Sequence, residues 1–310
     1  MRVLVAGGGG FLGSHVVDAL VARGDHVVVV DDFSTGHISN LAHHADGAVE
    51  VIRADIADGF SVRGAIDAVM NLASPASPKD YLERPLETLR TGSEGTHRLL
   101  QLADTHQARF LQASTSEVYG DPEISPQPES YWGRVNPVGP RSVYDEAKRY
   151  GESLVTAYQR LGRVTTSIAR IFNTYGPRLA AGDGRVVSNF IVQALAGQDI
   201  TIYGTGEQTR SLCYVDDQVR GLLLLLDSQE TGPINIGSQE EISILELAGV
   251  VIELTGSRSR LSYKPLPADD PRQRRPDTTL AEQRLEWLPQ VGLREGLGHT
   301  IDYFRQSAPL

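Results

Sequence analysis

The sequence predicts an α/β fold: a doubly wound parallel sheet with a smaller C-terminal domain. Three observations predict it. Short β-branched runs alternate with amphipathic stretches through the first half of the 310 residues, the pattern of parallel strands joined by right-handed crossovers. Several of those runs are continuously apolar, as strands buried on both faces are. After Asn173 the alternation breaks at Gly176, Pro177, Gly182 and Gly184.

Taken in order, strands are expected at 3–6, 26–31, 49–53, 68–72, 109–113 and 165–171, with 233–236 returning to the same sheet. Helices are expected at 13–23, 86–105 and 143–161 between them. Beyond the break come a helix near 186–196, a short strand at 200–203 and a helical stretch within 211–228. The larger domain is then 1–173 with about 211–236, and the smaller is about 174–210 with 237–310. Ligands of such sheets bind at the carboxyl ends of the strands, near the reversal of strand order, so the site is expected in the cleft between the two.

Lys and Arg number 29 against 39 Asp and Glu, a net charge of −10, which repels a phosphate backbone and argues against nucleic-acid binding. Cys213 is the single cysteine, so no internal disulfide and no cysteine zinc site is expected. The longest purely apolar run, 222–226, is far too short to span a bilayer. The start, MRVLVAGGGG, lacks the apolar stretch and cleavage site of a signal peptide. These features lead to the expectation of a cytoplasmic protein with no membrane partner. The pair His43-His44 reads as solvated loop, with no carboxylate or further histidine at ligand spacing, and no metal is expected.

Directly after the first strand, Gly7-Gly8-Gly9-Gly10-Phe11-Leu12-Gly13 opens a helix. Gly7, Gly10 and Gly13 form G-x-x-G-x-x-G, a variant of the Rossmann dinucleotide fingerprint: a tight turn, close backbone approach to pyrophosphate, and close packing of helix on strand. The helix start then offers N–H groups and the positive end of its dipole to the phosphates. The second strand ends at Asp31, 18 residues after Gly13. A carboxylate there accepts from ribose hydroxyls and repels a 2′-phosphate, which selects NAD over NADP. Asp32, Phe33, Thr35 and Gly36 follow it, Asp55 and Ile56 follow the third strand, and Leu72 and Ala73 the fourth. All are candidate cofactor residues, together with Thr174.

Tyr144 and Lys148 stand four residues apart on one helix face. An ordinary phenol has a pKa near 10, and a nearby cation favours its phenolate. A phenolate can take a hydroxyl proton while hydride leaves the same carbon for nicotinamide. Thr115, in Ala113-Ser114-Thr115-Ser116-Glu117 at the end of the fifth strand, completes a Thr–Tyr–Lys set.

With these residues in place, the sequence resembles the extended short-chain dehydrogenase/reductase family and, within it, the UDP-glucuronate decarboxylases that make UDP-xylose. The matching stretches are 71–80 (NLASPASPKD), 114–122 (STSEVYGDP), 131–148 (YWGRVNPVGPRSVYDEAK), 170–178 (RIFNTYGPR), 183–190 (DGRVVSNF) and 203–210 (YGTGEQTR). The ASPASP run and the YWG-x-VNP segment are the specific ones, because generic sugar-nucleotide epimerases do not share them. Ala147 departs from the family's more usual glycine, and the membrane anchor of the animal Golgi forms is not seen.

The resemblance implies UDP-glucuronate as substrate. Its C4 is oxidised with Tyr144 as base, CO₂ leaves the resulting β-keto acid, and C4 is reduced again. Glu117 and Arg274 are implied to assist, with Arg274 suited to orient the C6 carboxylate bidentately. The related 4,6-dehydratases carry Asp-Glu where this chain has Ser116-Glu117, and a serine is a poor acid for a departing hydroxyl. Asn173, Arg185, Asn189 and Arg210 are candidate ligands of the nucleotide half, Tyr203 can stack on uracil, and Lys79 can reach the sugar carboxylate or diphosphate. Arg185 can also face the nicotinamide side. The helices at 86–105 and 143–161 resemble those of a four-helix homodimer interface. Three other readings stay open: a dehydratase or 4-epimerase of the same fold, release of the 4-keto-pentose, and a silent NAD-binding sensor. Ser116 and the ASPASP run count against the first, and the presence of both Tyr144 and Lys148 against the last.

Overall fold

The computed structural model describes residues 1–45, 47–182, 184–266 and 273–307. Asp183, and 270–272 of the Arg274 segment, lie outside the described residues.

Seven strands form one parallel sheet: β1 (Arg2–Ala6), β2 (His26–Asp31), β3 (Val49–Arg53), β4 (Ala68–Asn71), β5 (Arg109–Thr115), β6 (Thr166–Ile171) and, much later in the chain, Pro233–Ile236. Their order runs β3-β2-β1-β4-β5-β6 and then Pro233–Ile236, so the direction of winding reverses between β1 and β4. The apolar runs explain the sheet, since alternate residues of each strand feed opposite faces. In β1, Val3 and Val5 face a core shared with Val16, Val17 and Leu20 of α1 (Phe11–Ala22). Leu4 and Ala6 face the other, with Leu99, Leu100 and Val155.

That second face is covered by α4 (Thr96–His106) and α5 (Ser142–Arg160), and α2 (Pro78–Glu83) and α3 (Pro85–Arg90) pack on α5. The helix expected at 86–105 is thus broken: a π-helical turn, Thr91–Gly95, separates α3 from α4. Packing explains the glycines there. A Cβ on Gly92 would lie 2.6 Å from Ala147 Cβ, and one on Gly95 2.7 Å from Ile56 Cδ1.

Beyond β6 come β7 (Thr174–Tyr175), α6 (Val186–Leu195), β8 (Ile200–Tyr203), β9 (Thr209–Ser211), β10 (Cys213–Tyr214) and α7 (Val215–Asp227). The last sheet strand, Pro233–Ile236, is β11, followed by β12 (Glu241–Ser243), α8 (Ile244–Thr255), β13 (Leu261–Lys264), α9 (Thr279–Leu285) and α10 (Leu293–Ser307). The helix expected within 211–228 starts only at Val215, because 209–214 pairs as short strands: β9 with β12, and β10 with β7. β8 pairs with β13. Ser243 begins α8 with a reciprocal capping box: its Oγ accepts from the Glu246 N–H at 3.1 Å, and Glu246 Oε2 accepts from the Ser243 N–H at 2.9 Å.

The C-terminal segment is fastened to α7. Asp217 Oδ2 accepts from the N–H groups of Gln290 and Val291, both at 2.8 Å. Trp287, fully buried, donates from Nε1 to the Asp217 carbonyl at 3.0 Å. Gly221 makes room for that indole, since a Cβ there would approach Nε1 to 3.0 Å. Among the described residues no helix is long and apolar enough to cross a membrane.

Candidate active site

A cavity of about 1550 Å³ opens at the carboxyl ends of β1, β2, β4, β5 and β6, where the reversal of strand order leaves a crevice. It exceeds what one drug-sized ligand fills, so there is room for a dinucleotide beside a second ligand. The far wall includes Arg185, Asn189, Tyr203, Arg210 and Arg274.

The glycine loop forms one end. Gly7 has φ +80°, and a Cβ on Gly13 would fall 2.0 Å from the Gly7 carbonyl oxygen, so α1 can approach β1 this closely only with glycine there. α1 begins at Gly10 with no side-chain cap. Its first N–H groups therefore need an acceptor from outside the helix, which a pyrophosphate supplies. Asp31 ends β2 almost fully buried, its carboxylate accepting from the Gly9 and Phe33 N–H groups, both at 2.8 Å. Burial raises its pKa, and those two hydrogen bonds oppose the rise. The residues present thus fit NAD.

Asp32, Thr35, Gly36, Asp55, Ile56, Leu72, Ala73 and Thr174 line the same cavity. Phe33 is not among the lining residues. Its backbone is left-handed, with φ +58°, and its ring packs on the back of the loop, where a Cβ on Gly9 would meet Phe33 Cε1 at 2.6 Å. Asn40, which the motif reading missed, does line the cavity and donates to the Gly9 carbonyl at 2.9 Å.

Tyr144 and Lys148 project from α5, both almost fully buried. Lys148 Nζ donates to the Ala113 carbonyl at 2.9 Å and lies 5.6 Å from the Tyr144 ring centre. Burial lowers its pKa to about 8. Burial likewise pushes the Tyr144 phenol up to about 12, opposed by a hydrogen bond with Thr115, with Glu117 raising it and Arg185 lowering it. Thr115 and Arg185 are the groups that oppose the rise, and Lys148 stands one turn along the same helix face, where the spacing places it. Tyr81, another residue the sequence reading did not single out, stacks on Tyr144 with ring centres 5.2 Å apart and planes 12° apart. It fixes the Tyr144 ring in place.

Glu117 is the electrostatic centre of the site. Both Arg274 guanidinium nitrogens Nη1 and Nη2 donate to its carboxylate, and Arg141 Nη2 donates to Oε1 at 2.9 Å. Burial alone would raise the Glu117 pKa; Arg274 and then Arg141 outweigh it and hold it below the usual carboxylate range. This corrects the role expected of Arg274. Its fork is occupied by Glu117, and Nε is the buried nitrogen left without a hydrogen-bond partner among the described residues. Ser116, also buried, precedes Glu117.

Asp145, next to Tyr144 and missed by the sequence reading, is 6% exposed, and its Oδ1 has no hydrogen-bond partner among the described residues. Burial raises its pKa to about 7, with Glu117 adding and Arg141 opposing. A carboxyl whose folded pKa is raised stabilises the fold fully below its unfolded pKa near 4 and loses that contribution as pH climbs through about 7. Asp145→Asn should therefore gain melting temperature relative to the parent between about pH 4 and 8. Parallel thermal unfolding at acidic and mildly alkaline pH checks this.

Among the residues expected to meet the nucleotide half, Lys79 sits in the first turn of α2, which Ser77 caps by accepting from the Asp80 N–H at 3.1 Å. Asn173 follows β6, Arg185 immediately precedes α6 and Asn189 lies within it. Arg210 in β9 is buried and donates to the Thr209 carbonyl at 2.8 Å. Tyr203, 41% exposed, ends β8. All six line the cavity.

Comparison with known proteins agrees with this geometry. The model of the NAD dependent epimerase/dehydratase family matches residues 3–237. UDP-glucuronic acid decarboxylase 4 of Arabidopsis thaliana is 49% identical over 307 residues, covering 99% of this chain and 69% of that protein. UDP-glucuronic acid decarboxylase 1 of Xenopus tropicalis is 48% identical over 309 residues, 99% of this chain and 72% of that one. Among solved structures, UDP-glucose 4-epimerase of Thermotoga maritima, with UDP-glucose, superposes with a TM-score of 0.91 at 32% identity, covering 99% of each chain. The sheet, the glycine loop and these matches lead to one conclusion: the chain belongs to the NAD dependent epimerase/dehydratase family, the extended short-chain dehydrogenases/reductases.

Proposed function

We propose that this chain is an NAD-dependent UDP-glucuronate decarboxylase, which makes UDP-xylose by oxidation at C4, loss of CO₂ and reduction at C4. The observation that carries the reading is the buried Glu117, forked by Arg274 and flanked by Arg141, next to Tyr144 and preceded by a serine. The decarboxylase relatives support it.

Gly7, Gly10, Gly13, the first turn of α1 and Asp31 would hold NAD, which when bound accepts hydride from C4 and returns it. Tyr144, steered by Thr115 and stacked on Tyr81, takes the C4 hydroxyl proton and keeps it until C4 is reduced. Lys148 would hold the nicotinamide ribose, and Arg185 keeps positive charge beside the phenol. Once C4 is a ketone, the C6 carboxylate is β to it. The C5–C6 bond breaks and its electron pair moves onto the C4 oxygen as an enolate, whose charge Tyr144 is placed to stabilise; a proton from water then adds at C5 and regenerates the C4 ketone for reduction. Arg274 and Arg141 line the cavity beside the carboxylate, and Glu117 keeps the arginines from gripping it too firmly, which matters because carboxylate charge is lost as CO₂ leaves. Ser116 is itself a poor acid for expelling a hydroxyl. Asn173, Asn189 and Arg210 bind the diphosphate and ribose, Tyr203 stacks on uracil, and Lys79 meets the anionic groups.

The division into a cofactor domain, 1–173 with about 211–236, and a nucleotide-sugar domain, about 174–210 with 237–310, belongs to the same reading, as does a cytoplasmic setting. So does a homodimer through α3–α4 and α5, where Leu86, Leu89 and Tyr150 are 71%, 37% and 49% exposed. Leu86→Asp with Leu89→Asp should halve the mass measured by light scattering; an unchanged mass sinks this interface.

The function is tested by incubating the chain with UDP-glucuronate and NAD⁺ and following nucleotide sugars by mass spectrometry. A product lighter by CO₂, with no NADH accumulating, is expected. A product lighter by two further hydrogens, with stoichiometric NADH, would mean that the 4-keto-pentose is released. No conversion by NAD-binding protein would overturn the substrate assignment.

A further inference from the structure

We propose that Asp18, His43 and His44 form a site for a late first-row divalent cation of the Zn²⁺ type, a clamp tying the β2–β3 connection to α1. In the sequence the histidine pair has no ligand at hand, and the fold supplies one. Asp18 arrives from α1, 25 residues away, and its Oδ1 lies 2.9 Å from Nε2 of His43 and of His44. The two rings lie side by side, centres 4.2 Å apart and planes 38° apart, so both nitrogens converge on one oxygen. His43 is hydrogen-bonded to that oxygen. His44, whose side chain is 9% exposed, approaches it as closely, yet its buried Nε2 has no well-aligned hydrogen-bond partner among the described residues.

Two imidazole nitrogens and a carboxylate oxygen, completed by water, are the donor set of a tetrahedral zinc site. With metal–ligand bonds of about 2.0–2.1 Å, tetrahedral geometry sets ligand atoms about 3.3 Å apart. The observed separations of 2.9 Å need to open by only a few tenths of an ångström. Asp18 Oδ2 accepts from Arg178 Nη2 at 2.6 Å, the kind of outer hydrogen bond that orients a metal-binding carboxylate. The same guanidinium repels any cation, which counts most against hard ions held by charge alone and least against those imidazole binds well. The loop is braced to receive it: the His44 N–H donates to the Leu41 carbonyl at 3.3 Å, and the Leu41 side chain is buried in the core. Through Arg178 the clamp also reaches the cavity wall.

The test uses tag-free, chelator-treated full chain, titrated with ZnCl₂ by calorimetry and with CoCl₂ by visible absorption. One Zn²⁺ per chain at micromolar or tighter Kd is expected, with a tetrahedral Co²⁺ spectrum that Zn²⁺ abolishes. Zn²⁺ should raise the melting temperature as a ligand of the folded state does. His43→Ala and His44→Ala should each weaken binding by about tenfold or more. The His43 side chain is half exposed, so its removal tests the site without opening the core. Stoichiometric binding that survives both substitutions overturns the proposal, as does weak multi-site binding that needs millimolar Zn²⁺.

Discussion

Tyr144→Phe is expected to lower turnover of UDP-glucuronate by about 10²–10⁴-fold, the range that a positioned acid–base group contributes. The ring is fixed by Tyr81 at 5.2 Å, and the cavity wall around it is unchanged by loss of one oxygen. Binding of NAD⁺ and of UDP-glucuronate should therefore stay within a few-fold of the parent. The effect belongs to kcat, because the phenol acts when the C4 proton moves and little before. Single-turnover formation of NADH separates the two: the burst should slow by the same factor as turnover. A burst at the parent rate would show that another group removes the C4 proton.

Arg274→Ala should have a comparably large effect with a second signature. Glu117 would keep only Arg141 as a charged partner in a buried setting. Removing one member of a buried pair costs about 3–5 kcal/mol when the remaining charge is stranded; with Arg141 still in place, the lower part of that range is expected here. The Glu117 pKa should rise, since Arg274 is the foremost of the two cations that depress it. Loss of CO₂ should fall by about 10²-fold or more, the scale of losing one preorganised donor. Arg274→Lys restores the charge without the fork. It should recover stability better than decarboxylation, and full recovery of turnover by lysine would show that the bidentate contact is irrelevant to the chemistry.

Much of this was legible in the sequence, because the parallel sheet leaves a direct trace. Continuous valine runs such as HVVVVD can be little other than a strand buried on both faces, and β2 has the bounds those residues predict. The glycine loop and the Tyr144–Lys148 spacing are equally local, one turn and one helix face. What escaped is what depends on distant pairing. Residues 209–214 look like the start of a helix until their backbones find β7 and β12. Tyr81 follows the ASPASP run in the short helix α2, and nothing local says that its ring will lie on Tyr144. Asp145 reads as an ordinary acid of a helix first turn, and only the fold buries it beside Glu117. Arg274 was singled out, but its partner was taken to be the substrate, since no spacing rule connects positions 157 residues apart. Asp18 is hidden from its histidines in the same way.

That long separation has a consequence for how the molecule is made. A ribosome delivers the glycine loop, Asp31, Glu117, Tyr144 and Lys148 well before residue 274. The nascent chain can thus assemble its cofactor cradle while Glu117 has Arg141 alone for company. Docking of the last segment brings the missing guanidinium, and the charge balance of the site is completed at the moment the fold closes. A chain that stops before residue 274 lacks one of the two guanidinium partners of a buried carboxylate and is expected to be less stable for it.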